Sequence, residues 1–230
     1  MHQGNDILQI EPIAYIETDF KEKFALPRQS GLCPSLSGII RFTAPFARTE
    51  AVRGLEGFSH IWLIFGFSQN RWNAASLTVR PPRLGGNQRV GVFASRAPFR
   101  PNGLGLSCVR LASIGHEENG APVLFVFGAD LASGTPIYDI KPYLPLSDCH
   151  QDALPGYTAL TAGHHLAVRC SRELLEKIPK AKQAGLLEVL GQDPRPGYET
   201  ENEAEYGFSY ADREIKFSVR DGVLTVLQIE

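Results

Sequence analysis

Residues 58–67 read FSHIWLIFGF, and every side chain from Ile61 to Phe65 is apolar. A short run that is apolar on both faces is typical of a strand buried at the centre of a sheet, because alternation with polar residues marks strands that face water on one side. The stretch therefore predicts a central strand over His60–Ser68.

Similar runs rich in Val, Ile, Phe and Leu recur on both sides of this strand, separated by Gly, Pro and Asn clusters. They predict further strands at Ile7–Thr18, Ser37–Thr43, Ser76–Arg83, Arg89–Ser95, Leu104–Ile114 and Val123–Ala129. Only one short helix is predicted among them, Thr49–Leu55, with Thr49 as its N-cap. Many strands with few helices favour an antiparallel barrel over a parallel α/β sheet. We expect a mainly β protein whose residues 1–150 form an antiparallel, non-Rossmann barrel of about seven strands.

The pattern changes after a predicted connecting loop at residues 151–165, and residues 166–230 predict a small α+β domain. Ser171 can cap a helix, Pro179 interrupts it, and helical spacing resumes as far as Leu190. Asp221-Gly222 lies between two alternating apolar runs, which is a strong hairpin signal. The predicted hairpin strands are Ile215–Val219 and Val223–Ile229.

The charges of the chain are unevenly distributed. The formal net charge is −2, yet residues 57–116 contain no Asp, Glu or Lys and seven arginines: Arg71, Arg80, Arg83, Arg89, Arg96, Arg100 and Arg110. Arginine without lysine favours two-pronged recognition of phosphate or carboxylate groups. The alternative is that these arginines are ordinary surface charges on strands.

Several classes of protein find no support in the sequence. The four cysteines form no C-x-x-C pair, which indicates reduced thiols, and Cys149-His150 with His164-His165 matches no zinc pattern. The sequence has no secretory signal at its start and no long apolar segment. We therefore expect a soluble, cytoplasmic protein without a bound metal. G-x-G-x-x-G, P-loop, H-E-x-x-H and G-x-S-x-G motifs are all absent.

Polar residues are concentrated in four segments, at 27–29, 58–62, 95–107 and 138–145. Arg96 and Arg100 are spaced four apart and lie next to Pro98 and Pro101, which predicts a stiff loop that holds guanidinium groups ready for an anion. Each segment also has a structural interpretation. His60 can be a satisfied core histidine, and the prolines can simply rigidify turns.

Three of these segments, FSHIW (58–62), RAPFRPNGLGLS (96–107) and DIKPY (139–143), closely resemble the signature of the TsaA-like family of tRNA methyltransferases, called TrmO. Gly103 and Leu104 stand where many members have Pro-Ile, and we expect no disturbance of the loop. The resemblance covers about residues 7–150. The sequence Asp193-Pro194-Arg195-Pro196 also resembles the C-terminal extension of bacterial members.

The resemblance implies a β-barrel methyltransferase that binds S-adenosylmethionine near a homodimer interface. It implies methylation of N6 of threonylcarbamoyladenosine at position 37 of tRNA, next to the anticodon. The implied cofactor contacts are Pro27, Arg28, Gln29, His60, Ile61, Arg96, Leu106, Asp139, Ile140, Lys141 and Pro142. Among them Arg28 or Arg96 can bind the cofactor carboxylate, and Asp139 can accept a hydroxyl hydrogen.

Methyl transfer to an exocyclic amine requires in-line approach and a hydrogen-bond acceptor more than a strong base. We predict that Asp139, or a backbone carbonyl near Lys141, orients the amine, and that Tyr143 stacks on the base. Arg83, Arg89 and Arg100 are predicted to contact tRNA phosphates. The alternatives are a non-catalytic RNA-binding adaptor, a small-molecule hydrolase and a structural barrel. Binding of S-adenosylmethionine distinguishes the methyltransferase from the adaptor.

Overall fold

Six antiparallel strands close into a barrel in the order β1-β2-β7-β6-β3-β8. The computed structural model describes residues 8–67, 76–81, 84, 88–161, 163–195 and 204–230. The barrel strands are β1 (Ala14–Thr18), β2 (Ser37–Phe42), β3 (His60–Gly66), β6 (Leu104–His116), β7 (Pro122–Phe127) and β8 (Thr135–Pro142). The predicted fold class, a barrel followed by a smaller part with sheet and helix, is confirmed.

Strand β3 lies between β6 and β8 and is central, as its apolar sequence predicts. Ile61 and Leu63 are 0% exposed and Phe65 is 5% exposed, so alternate side chains fill the barrel interior. The other side chains of β3 point to the outside of the barrel, because successive residues of a strand face opposite ways. This outer side carries the candidate site described below.

The barrel has six strands where about seven were predicted. The described residues of the two strands predicted at 76–83 and 89–95 contribute only β4 (Thr78–Val79) and β5 (Val90–Gly91), which pair with each other in a separate sheet; residues 82 and 83 lie outside the described residues. The prolines at 81 and 82 cannot donate backbone hydrogen bonds, and residues 92–94 form a 3-10 turn. The sixth strand is β8, which contains Pro136 and Pro142 and was not among the predicted strands, because its residues were interpreted as a loop.

Two predicted element boundaries at the N-terminal side are wrong. Strand β1 begins at Ala14, and none of residues 8–13, which include Pro12, lies in a strand; residue 7 of the predicted strand lies outside the described residues. Helix α1 (Thr49–Val52) has Arg48 at its N-cap, without a side-chain cap bond. The helix stops early because Gly54 adopts a φ of 85°, and a 3-10 turn follows at Leu55–Gly57.

The pairing of β3 with β6 depends on a close approach at Gly105. A Cβ atom added there would lie 2.2 Å from Cζ of Phe65, the residue that pairs with Gly105 across the strands. Phe65 is buried and also contacts Phe67, with ring centroids 5.1 Å apart. The ring has little freedom to move aside, so glycine is required at this position.

We expect Gly105→Ala to reduce the free energy of unfolding by about 2–3 kcal/mol, because an added methyl group overpacks the barrel interior. Urea-induced unfolding followed by fluorescence measures the change. Gly57→Ala is the matched control, since a Cβ there meets nothing within 4 Å. Equal stability of the two variants would contradict the packing argument.

The second part of the fold is a four-stranded sheet in the order β10-β11-β12-β9, in which β9 pairs parallel to β12. Its strands are β9 (Ala167–Arg169), β10 (Glu205–Tyr210), β11 (Arg213–Arg220) and β12 (Val223–Ile229). The helices are α2 (Pro145–Asp148), α3 (Arg172–Leu175) and α4 (Lys180–Gly191). In the described ranges, no helix has the length and apolar character that would let it cross a membrane.

Local signals in this region predict the structure well. The hydroxyl of Ser171 accepts a hydrogen bond from the backbone of Leu174 at 3.2 Å and caps α3, and α4 begins directly after Pro179. Asp221 and Gly222 have φ values of 49° and 75° and connect β11 to β12. The predicted hairpin is confirmed. Strands β9 and β10 were not predicted.

The segment between β1 and β2, residues 19–36, packs on the C-terminal sheet. Phe20 and Cys33 are 2% and 1% exposed and belong to the same core as Leu186 and Phe217. Burial raises the pKa of Cys33 to about 12, so this thiol stays protonated and inert. We call residues 19–36 the β1–β2 segment. It joins the barrel to the C-terminal sheet.

Polar contacts reinforce this packing. The carboxylate of Glu188 in α4 accepts two hydrogen bonds from Ser35, from the backbone N–H at 2.9 Å and from the hydroxyl at 2.6 Å. Lys182 of α4 forms an ion pair with Asp19, whose carboxylate is 12% exposed. Both ends of the β1–β2 segment are therefore held by the same helix.

Candidate functional site

The outer face of strands β6, β3 and β8 presents polar and apolar side chains in register. Leu106 and Asp139 both pair with Ile64, from opposite sides, while Cys108 and Lys141 both pair with Trp62. Leu106 is 49% exposed. We define the outer face as Leu106, Cys108 and Arg110 on β6, His60, Trp62 and Ile64 on β3, and Asp139 and Lys141 on β8.

A bulge in β8 determines which side chains reach this face. Phe65 pairs with Ile137 and its neighbour Ile64 pairs with Asp139, so Tyr138 is the extra residue. The extra residue shifts the alternation and directs Asp139 and Lys141 outward, whereas Ile137 remains in the core. The segment that was expected to be a loop is therefore a bulged strand, which fixes these side chains more rigidly.

Asp139 has two donors in contact with its carboxylate. Lys141 Nζ lies 2.9 Å from Oδ2, and the backbone N–H of Ile140 donates to Oδ1 at 2.9 Å. The side chains of Lys141 and Asp139 are 62% and 45% exposed, so the pair is open to a ligand. An ionised carboxylate accepts up to about four hydrogen bonds, and acceptor capacity therefore remains.

An aromatic cluster stands at the beginning of β3. The ring of Tyr143 lies 5.8 Å from Trp62 and 6.2 Å from His60 between centroids, and its backbone N–H donates to His60 O at 3.0 Å. Asp148 accepts from Trp62 Nε1 at 2.8 Å, and bonds from the Leu144 backbone and Trp62 lower the pKa of this carboxyl. Desolvation, with contributions from Cys149 and Asp148, raises the pKa of Tyr143, which keeps its hydroxyl protonated.

The loop over residues 95–103 brings Arg96 to the β1–β2 segment. Arg96 Nη1 donates to Gln29 Oε1 at 2.6 Å, which joins two predicted cofactor-binding residues. Arg100 is half-buried and donates to Ser95 O at 2.9 Å, so it braces the loop. Gly103 has a φ of 58°, which proline cannot adopt, so a proline at this position would require a different turn.

Asp130 is a partly buried carboxyl beside Arg96 that was not predicted from the sequence. Ser107, 1% exposed, donates to Asp130 Oδ1 at 2.6 Å. Burial raises the pKa of Asp130, and the effect is opposed by bonds from Ser107 and Ser30 and by the charge of Arg96. Asp130 thus ties strand β6 to the β1–β2 segment. An acid that follows the apolar run at 123–129 is the signal that could have identified it.

The remaining predicted site residues lie in several places. Ile61 is fully buried, so only its backbone is available outside the barrel. Pro27 is buried, and Arg28 Nη2 donates to Arg195 O at 3.1 Å on the side of the C-terminal sheet. Arg89 is exposed, and Arg83 lies outside the described residues. In the part of the chain that the structure describes, no cluster of His, Cys, Asp or Glu could hold a metal ion.

The fold and the site define a β-barrel protein in which an arginine-bearing loop lies against the β1–β2 segment and the outer sheet face carries polar side chains. The tRNA-methyltransferase O N-terminal domain model matches residues 15–149, and the TrmO C-terminal domain model matches residues 164–230. The chain belongs to the tRNA-methyltransferase O family. The resemblance in its three motifs is confirmed.

The similarity to known proteins covers nearly the whole chain. The tRNA (adenine(37)-N6)-methyltransferase of Escherichia coli (strain K12) is 41% identical over 96% of this chain and 97% of its own length. A putative S-adenosylmethionine-dependent methyltransferase of Pseudomonas aeruginosa is 43% identical over 96% of each chain. A crystal structure of TrmO from P. aeruginosa superposes with a TM-score of 0.79 at 34% identity, covering 99% of this chain and 98% of that chain.

Proposed function

We propose that this chain is an S-adenosylmethionine-dependent methyltransferase that modifies N6 of adenine 37 in tRNA, with threonylcarbamoyladenosine as the substrate base. The observation that carries the proposal is the 2.6 Å hydrogen bond between Arg96 and Gln29, which unites two cofactor segments separated by 67 residues. The names of the relatives in E. coli and P. aeruginosa support the reaction and its cofactor.

The residues around Arg96 fit an amino-acid group that carries both charges. The exposed guanidinium of Arg96 suits a carboxylate, while the side chain of Gln29 and the partly buried carboxyl of Asp130 lie beside it. When bound, S-adenosylmethionine supplies an electrophilic methyl group on its sulfonium. The adenine edge is proposed to contact backbone groups of Leu106 and Ile140, which lie on the two strands beside β3.

Asp139 is the proposed acceptor for the amine hydrogens of the substrate base. Its carboxylate is held by Lys141 and by the Ile140 N–H, so its orientation is fixed before the substrate arrives. Tyr143, at the end of β8, provides an aromatic surface for an unstacked base. Together these residues position the base, and no strong base is required.

We propose that tRNA phosphates contact Arg89, which precedes β5, and Arg100, in the loop over residues 95–103. We propose that the chain forms a homodimer, as the resemblance to the family implies. A cytoplasmic location agrees with a tRNA substrate.

Transfer of labelled methyl groups tests the proposed function. Purified protein with labelled S-adenosylmethionine and tRNA that carries threonylcarbamoyladenosine is expected to yield label on nucleotide 37, located by nuclease digestion. The same tRNA without the threonylcarbamoyl group is the control and is expected to react more slowly. Binding of tRNA without any binding of S-adenosylmethionine would support the RNA-binding adaptor instead.

A further inference from the structure

A continuous series of hydrogen bonds leads from the end of α4 to Arg96. Arg28 Nη2 donates to Arg195 O at 3.1 Å, Gln29 Nε2 donates to Arg28 O at 2.5 Å, and Gln29 Oε1 accepts from Arg96 at 2.6 Å. These contacts connect residues that follow the C-terminal helix with a loop of the barrel. No cofactor atom is needed to complete the series.

The series of hydrogen bonds starts at the ion pair between Asp193 and Arg195. Arg195 donates to both oxygens of Asp193 at 2.8 and 2.9 Å, and both side chains are 13% exposed. His164 adds a contact to Asp193 at 3.0 Å. Burial opposes ionisation of Asp193, but the bonds from Arg195 and His164 outweigh it and lower the pKa of this carboxyl. A two-pronged pair that is mostly shielded from water holds its backbone more firmly than an exposed pair does.

The side-chain amide of Gln29 couples the position of Arg28 to the orientation of Arg96. A guanidinium can only donate hydrogen bonds, so the contact with Arg96 assigns the oxygen of the Gln29 amide to that side and leaves the NH₂ group facing Arg28 O. A displacement of Arg28 therefore rotates the same amide that orients Arg96. The two bonds cannot vary independently.

The geometry points to Asp193 and Arg195 as positioning residues for the cofactor site: they fix Arg28 and, through Gln29, the direction of the Arg96 guanidinium. This role rests on the proposed function. A cavity of about 200 Å³ lies between residues 23–28 and residues 192–195, so this boundary is not filled by packing alone. The contacts through Arg195 must then supply part of the alignment that packing supplies elsewhere along the β1–β2 segment.

Asp193→Asn in the full chain is expected to raise KM for S-adenosylmethionine roughly 3- to 30-fold. At saturating cofactor, kcat and KM for tRNA are expected to change less than about twofold, because the substrate residues on β8 are not in the series. Steady-state methyl transfer measures all three constants. Glu176→Gln is the matched control, since it breaks the exposed Arg172–Glu176 pair on α3 and is expected to leave them unchanged.

A double-mutant cycle separates this role from a general loss of stability. In a Gln29→Ala background, Asp193→Asn is expected to have little further effect on cofactor affinity, because the connection is already broken. Equal effects of Asp193→Asn with and without Gln29 would overturn the inference. If Asp193→Asn does not fold, His164→Ala removes an exposed contact to the same carboxylate and is expected to shift the KM in the same direction, by a smaller factor; no shift would equally overturn it.

A failure of the positioning role can be distinguished from a failure of the proposed function. If the wild-type protein binds no S-adenosylmethionine, the proposed function fails first. If the wild type binds it and Asp193→Asn or His164→Ala binds it equally well, only the positioning role is wrong.

Discussion

Asp139→Asn is expected to lower kcat for methyl transfer about 100-fold, which is the lower range for loss of a positioned proton acceptor. The asparagine keeps the shape of the side chain but replaces one acceptor oxygen with an NH₂ donor, which repels the amine hydrogens of the base. It also loses the ion pair with Lys141, whose nitrogen lies 2.9 Å from the carboxylate. Single-turnover kinetics at saturating S-adenosylmethionine measure the change, and cofactor affinity is expected to change less than about fivefold.

Two further variants test whether the loss of activity comes from the Asp139 carboxylate itself. Asp152→Asn alters an exposed carboxylate in the connecting loop and is expected to leave kcat unchanged. Lys141→Met removes the ion pair but leaves the Ile140 N–H bond to Asp139, so a smaller loss of about tenfold is expected. If Asp139→Asn transfers methyl groups at the wild-type rate, Asp139 does not orient the amine, and a backbone carbonyl of β8 becomes the acceptor to test.

Arg96→Ala is expected to weaken binding of S-adenosylmethionine about 10- to 100-fold, because a hydrogen bond to a charged group contributes roughly 1.5–3 kcal/mol. The loss has two physical sources. The variant removes the cation proposed for the cofactor carboxylate, and it leaves the partly buried carboxyl of Asp130 without its neighbouring positive charge. Calorimetric titration of the purified protein measures the dissociation constant directly.

Arg80→Ala is the matched control for Arg96→Ala, since Arg80 is exposed and lies in the same acid-free stretch. Its affinity for S-adenosylmethionine is expected to equal that of the wild type. Arg96→Lys keeps the charge without the planar fork and is expected to recover only part of the affinity. Full affinity in Arg96→Ala would show that the carboxylate binds elsewhere, with Arg28 the next residue to test.

Local patterns in the sequence predict a large part of the fold. The apolar run in β3 and the Asp221-Gly222 turn act through neighbours in the chain, and both are confirmed. Strand β8 could not be predicted in the same way, because Pro136 and Pro142 argue against a strand when its partners are unknown. Pairing with β1 and β3 overrides this preference, since β8 closes the barrel between them.

The residues of the candidate site also differ in whether local sequence could identify them. The motif residues Arg96, Asp139 and Tyr143 were predicted from local sequence, and their roles in the reaction stay predictions. Asp130 escaped prediction because its partner Ser107 is distant in the chain. Asp193 bonds to the nearby Arg195, but its contact with His164 and the link from Arg195 to Arg28 join distant parts of the chain. A single sequence shows an isolated acid and not the hydroxyl or imidazole that folding brings to it.

The packing of the β1–β2 segment has a consequence for the order of events during protein synthesis. The barrel strands are complete once residue 142 has left the ribosome, but Phe20 and Cys33 find their core partners only after β11 and β12 have emerged. Contacts that span so much of the chain form late. A nascent chain can therefore close its barrel before Arg28 meets Arg195 O, and the β1–β2 segment completes its packing only once β11 and β12 have been translated.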